Sequence, residues 1–147
     1  MEKYYQAYDK RYQQIHNLKL QWSSDVVTPI LQELIVQFGI RKTDKILEIG
    51  CGEGRDALWL LEQGYDVLAT DVSKEAISYC KKKNSKFSHL FFQLDVCEER
   101  LPQTFKFIYS ISVIHMLVNQ EERNRFLTFI RDHLDEDGYG LILTMGD

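Results

Sequence analysis

The stretch ILEIGCGEGRDALWLLEQGYDVLATDVSKEAI, residues 46–77, decides how the whole chain is read. Lys45 to Ile49 is a run of mostly aliphatic residues and reads as a buried strand. A glycine-rich turn follows, then a helix over about 54–63 with Ala57, Leu58, Leu60 and Leu61 on one face, closed by Gly64. Asp66 to Thr70 is a second strand, and Ser73 caps a helix over about 73–83. The alternation continues outward. Leu90 to Leu94 and Phe107 to Ile111 read as strands, about 120–135 as a polar helix, and Asp137-Gly138 as a turn into a last strand from Tyr139 to Thr144. Upstream, residues 25–38 form a helix capped by Asp25 or Ser24, with Pro29 in its first turn and Ile30, Leu31, Leu34, Ile35 and Phe38 facing inward. Residues 3–20 place Tyr4, Tyr5, Tyr8, Tyr12 and Ile15 at loose helical spacing. Strands alternating with helices predict an α/β fold: a doubly wound, mainly parallel sheet of about five strands with helices on both faces.

Such sheets bind ligands at the carboxyl ends of their strands, near the point where strand order reverses. Function is therefore expected in the turns 50–54, 71–73, 95–97, 112–116 and 145–147. In the first, Gly50, Gly52 and Gly54 let the backbone turn sharply and approach a ligand with no Cβ between. A dinucleotide site would need GxGxxG with a pyrophosphate on the helix N-terminus. Here Arg55 takes the place of the third glycine of that pattern. Glu48, Glu53 and Asp56 surround the turn, and carboxylates there oppose a pyrophosphate but suit a ligand carrying an ammonium and a sulfonium. Asp71, 23 positions after Glu48 at the end of the second strand, can accept from both hydroxyls of a ribose, because Ser73 already supplies the helix cap.

The same stretch resembles the first two motifs of class I S-adenosylmethionine-dependent methyltransferases, a Rossmann-like family. Its GRDALWLLEQGYDV wording is similar to the small-molecule enzymes of tellurite-resistance and thiopurine type. The resemblance covers about residues 25–147 and implies S-adenosyl-L-methionine as cofactor, with S-adenosyl-L-homocysteine as product. It implies cofactor contacts at Glu48, Gly50, Cys51, Gly52, Gly54, Asp71 and Val72. It also implies adenine contacts at Asp95 and the Val96 N–H, and a place beside the sulfonium for Ser112. The first 24 residues match only as an N-terminal helical lid, whose Tyr12 would face the cofactor or else pack on the core. Catalytic residues are not assigned. His115, in the fourth loop, is either a general base or a packed loop histidine. That loop lacks the NPPY or DPPY wording of DNA amino-methylating enzymes, and Lys106 stands where the family often carries Asp.

The 147 residues read as one domain, 1–24 as lid and 25–147 as α/β core. A net charge of −4 and a pI near 5.6 oppose a phosphate-binding surface, and Lys81-Lys82-Lys83 complements a helix C-terminus, so no nucleic-acid partner is expected. Cys51, Cys80 and Cys97 have no metal-ligand spacing, so no metal is expected and a reducing cytoplasm is the natural compartment. No apolar segment suggests a membrane. The family's closing strand pair looks absent after Met145-Gly146-Asp147, which would leave the last strand free to pair in a homodimer. The expected activity is methyl transfer to a small molecule. A cofactor-binding module without turnover and an NAD-dependent oxidoreductase are the alternatives.

Overall fold

The computed structural model describes residues 3–144. Helix α1 (Gln6–Asn17) and helix α2 (Pro29–Gln37) precede strand β1 (Lys45–Ile49), and helix α3 (Arg55–Glu62) leads to strand β2 (Asp66–Asp71). Helix α4 (Lys74–Lys83) leads to the short strand β3 (Phe91–Gln93). Strand β4 (Phe105–Ile111), helix α5 (Gln120–His133) and strand β5 (Leu134–Leu143) complete the chain. The five strands form one sheet in the order β3-β2-β1-β4-β5, and every neighbouring pair is parallel. The order reverses between β1 and β4, so the loops leaving these two strands diverge and open a crevice.

Both faces of the sheet are covered. Leu31 and Ile35 of α2, Leu60 of α3 and Cys80 of α4 pack on Ile46, Val67 and Phe107. On the other face Phe126, Phe129 and Ile130 of α5 pack on Leu47, Ile49 and Ile108. Buried on both sides, the strands carry aliphatic and aromatic runs instead of strict alternation.

Three boundaries differ from the sequence expectation. Helix α2 starts at Pro29, not at 25, and its N-cap is Thr28 in place of Asp25 or Ser24. The reason is local: a residue before proline is driven to extended backbone, here φ −61° and ψ 115°, so the helix cannot extend upstream of Pro29. The last strand begins at Leu134, with a register shift opposite Phe105 to Phe107, so Asp137-Gly138 lies inside the strand's irregular part and makes no separate turn. Helix α1 is shorter than 3–20 and ends at Asn17, followed by Lys19 in left-handed backbone at φ +57°. The caps of α4 and α5 hold as local chemistry dictates. Ser73 Oγ accepts from Ala76 N at 3.1 Å, and Asn119 Oδ1 accepts from Glu122 N at 2.8 Å. Among the described residues no helix is long and apolar enough to cross a membrane.

Candidate functional site

The glycine turn after β1 is shaped by close approaches on three sides. Gly50 has φ +82°, and a Cβ there would stand 2.2 Å from Val113 Cγ2 in the loop after β4. Only a residue without a side chain lets the diverging loops of β1 and β4 come this near. The N–H groups of Gly50 and Cys51 both donate to the Thr70 carbonyl at 2.8 Å, which fastens the turn to the end of β2. Gly54, at φ +87°, differs in purpose: its missing Cβ makes room for Cys80 Sγ at 3.1 Å and the Phe91 ring at 3.2 Å.

A cavity of about 460 Å³ lies over this turn at the carboxyl edge of the sheet. That size is in the range of small-molecule sites. Glu48, Gly50, Cys51, Gly52, Asp71 and Val72 line it from β1 and β2, and Val96, Ser112 and His115 line it from the loops after β3 and β4. Tyr12 lines it from α1. Two expected residues stand outside the lining. Gly54 serves packing, as above. Asp95, half-buried, turns its Oδ1 to the N–H of Cys97 at 3.0 Å, while the next residue, Val96, reaches the cavity. The turn 145–147 lies outside the described residues.

Asp71 is the joint between two loops. Its Oδ2 accepts from Gly52 N at 2.8 Å and its Oδ1 from Ser73 N at 2.9 Å. Burial pushes its carboxyl above the usual range, and the backbone hydrogen bonds oppose that push. Each oxygen keeps lone-pair capacity toward the cavity, since a carboxylate offers about four acceptor sites. Glu48 is more exceptional. It is 2% exposed, and burial together with the charge of Asp56 holds its carboxyl well above the ordinary value. Its Oε1 and the hydroxyl of its register partner Tyr109 are buried together without a well-formed hydrogen bond, and the phenol beside the carboxyl offsets only part of the burial. Buried acceptors are almost always fully satisfied in native proteins, so Glu48, which also lines the cavity, keeps acceptor capacity that a ligand donor can use.

The other two carboxylates at the turn have partners within the fold. Asp56 accepts from Thr28 N at 2.9 Å and Thr28 Oγ1 at 2.8 Å, and pairs with Arg55 at 3.3 Å, so it fixes the start of α2. Glu53 accepts from Trp22 N at 2.9 Å, from Ser23 N, and faces His16 Nε2 at 2.9 Å. Of the three acidic residues around the turn, Glu48 alone keeps an unpartnered buried oxygen.

The roof is aromatic. Tyr4, Tyr5, Tyr8 and Tyr12 line the cavity together with Trp22, which stacks on Tyr8 at 6.2 Å and meets Tyr12 at 4.7 Å. Burial holds the hydroxyls of Tyr4 and Tyr12 protonated well beyond the usual range. Sequence reasoning found the tyrosines but missed Asp9 and His16. They share a helix face with Tyr5 and Tyr12 through the spacing 5, 9, 12, 16, and that polar stripe was the available signal. Ser112 sits in left-handed backbone at φ +61°, its N–H donating to Leu143 O at 2.7 Å, so the end of β5 sets the loop that faces the glycine turn. His115 is exposed, and its Nδ1 lies 3.5 Å from Thr144 Oγ1.

Comparison with known proteins agrees with this layout. Residues 46–138 match a family model described as a methyltransferase domain. Over 103 residues the chain is 30% identical to the probable S-adenosyl-L-methionine-dependent methyltransferase TehB of Haemophilus influenzae, an alignment covering 67% of this chain and 35% of that protein. A TehB-like enzyme from Corynebacterium glutamicum superposes with a TM-score of 0.63 at 24% identity, over 92% of this chain and 70% of the other. The glycopeptide N-methyltransferase MtfA gives 0.69 at 20% identity, over 82% and 53%, and has also been solved with S-adenosylmethionine and with S-adenosylhomocysteine. The chain thus spans about a third of the length of TehB. With the sheet order, the glycine turn and the matched family model in agreement, the chain belongs to the class I S-adenosylmethionine-dependent methyltransferase domains.

Proposed function

We propose that the cavity binds S-adenosyl-L-methionine and that the chain uses it to methylate a small-molecule acceptor. The observation that carries this reading is the buried, incompletely satisfied carboxyl of Glu48 in the lining of a glycine-edged cavity whose roof is aromatic. A cationic, adenosyl-bearing ligand fits each part: a charged donor for Glu48, hydroxyls for Asp71, and ring faces for a sulfonium.

When bound, S-adenosylmethionine supplies an electron-poor methyl group on a good sulfur leaving group. The chain's own contribution is binding and orientation. Glu48 would take the ammonium end, Asp71 would hold the ribose while tying Gly52 to Ser73, and the Val96 N–H would meet the adenine. Ser112 and the Val113 loop stand across Gly50, where the methyl end would point. Tyr4, Tyr5 and Tyr8 close the cavity from above and exclude water. Proximity of this kind supplies several kcal/mol of a transfer barrier, so no dedicated acid or base is required. His115 is placed to receive a proton from an acceptor that must lose one.

A roofed cavity and an acidic surface support a small acceptor over a nucleic acid. The cysteines, all free, suit a reducing cytoplasm. The exposed edge of β5 is proposed as the contact for a second copy.

Calorimetry with S-adenosylmethionine and S-adenosylhomocysteine tests the cofactor, with NAD as comparator. Asp71→Ala should weaken binding by roughly 1.5–3 kcal/mol, on the order of 10- to 100-fold. Binding of NAD with none of S-adenosylmethionine would reject the proposal. Binding without methyl transfer to any of a broad acceptor panel would favour a module without turnover.

A further inference from the structure

We infer that Asp9 and His16 are positioning residues that latch α1 over the cofactor cavity, and that cofactor exchange requires their release. The inference rests on the cofactor reading above and adds residues that reading does not use.

None of the twelve residues of α1 is fully buried, so apolar burial alone does not hold this helix down. Polar ties do, and they land on the loops that build the cavity. Asp9 Oδ1 accepts from Ser73 Oγ at 2.6 Å and from Glu75 N at 3.0 Å, so a carboxylate from α1 crowns the N-terminus of α4. A negative group at that end is favoured by the helix dipole. About two turns further on, His16 lies between two carboxylates, with Nε2 2.9 Å from Glu53 and Nδ1 3.2 Å from Glu75. Its ring stacks on Tyr79 of α4 at 4.0 Å. Glu53, in the glycine turn, then holds the backbone N–H groups of Trp22 and Ser23 just past the helix.

These ties connect to the cofactor groups through one more bond. Ser73, held by Asp9, donates its N–H to Asp71, and Asp71 accepts from Gly52. The latch and the cofactor cradle therefore share one hydrogen-bonded chain, Asp9–Ser73–Asp71–Gly52. Tyr5, Tyr8 and Tyr12, carried on or beside α1, form much of the roof, so a ligand beneath them is retained by contacts that loosen when the latch opens. His16 and Glu53 are largely shielded from water while Glu75 stays a quarter exposed, so the ties open as a unit and polar contacts, with no apolar seal, set the cost of cycling the lid.

The fold should survive removal of either tie, because Ser73 still caps α4 through Ala76 N. Trp22 stacks on the roof tyrosines and reports the position of the segment, so a Trp59→Phe background leaves it as the sole tryptophan of the sequence. In that background, dissociation of S-adenosylhomocysteine is followed by stopped flow, alongside iodide quenching of Trp22. Asp9→Asn and His16→Gln should each speed dissociation about tenfold. Quenching of Trp22 in the loaded protein should rise with it, while the ligand-free melting temperature stays within a few degrees of the parent. Unchanged dissociation rates in both variants would overturn the latch. So would faster dissociation with Trp22 as shielded as before, since the effect would then lie in the cavity and not in the lid. If Asp9→Asn folds poorly, His16→Gln carries the test by itself. Failure of the parent to bind S-adenosylhomocysteine at all would count against the cofactor reading, a result separate from either outcome for the latch.

Discussion

Glu48 shows how a single residue can work against the fold and for the site. Its carboxyl is sealed in the sheet, with burial raising its pKa and only a poorly formed contact to the Tyr109 hydroxyl opposing that rise. A carboxyl raised in the folded state contributes stability that is present below its ordinary pKa of about 4.3 and is lost as pH rises toward the folded value. Glu48→Gln should therefore melt at a higher temperature than the parent near neutral pH, by about 1–2 kcal/mol of stability, with the gap closing below about pH 4. The same variant should bind S-adenosylmethionine at least about tenfold more weakly, about 1.4 kcal/mol. Calorimetry in buffers of different ionisation heat should also show a proton leaving the parent on binding and none leaving Glu48→Gln. Lower stability of the variant at pH 7 would contradict this account. At this scale the sequence was informative where chemistry is local: Glu48 and Asp71 announce themselves beside the glycines. The roles of Glu53 and Asp56 were hidden, because their partners lie 28 to 37 residues away on segments without a motif.

Among the elements, the turn between β1 and α3 is the most constrained. Gly50→Ala would put a methyl group against Val113 while forcing left-handed backbone on a side chain, so the loops after β1 and β4 must part. Loss of about 1–3 kcal/mol in unfolding free energy is expected, together with loss of cofactor binding. A variant that melts and binds like the parent would show that the two loops need not touch. Asn119→Ala, at the cap of α5, makes a useful contrast: about 1 kcal/mol less stability and unchanged cofactor affinity, because that cap faces away from the cavity. Helices and central strands were legible from periodicity and caps. Element ends were less so. Pro29 overruled two good capping residues at 24 and 25, and β5 absorbs Asp137-Gly138 as an irregularity that a turn-like dipeptide disguises.

At the scale of the whole sheet, β3 and β5 are the outer strands among the described residues, and β5 keeps Tyr139, Ile142 and Leu143 more than a third exposed. An apolar edge of this kind invites pairing. Light scattering should find a dimer at micromolar concentration, and Ile142→Lys should return it to monomer. A parent that scatters as a monomer throughout would leave that edge without the proposed contact. The parallel, doubly wound sheet followed from the alternation of elements, but how the N-terminal segment docks did not, since that depends on ties spanning most of the domain. The reach of Asp9 to Ser73, 64 residues along the chain, has a consequence during biosynthesis. The segment bearing Asp9 leaves the ribosome well before the helix it crowns has been translated, so it must wait, undocked, while β1 and β2 are laid down. The earliest helix to be made thus finds its seat only once α4 exists, and until then the young sheet keeps its binding edge open to the surrounding solution.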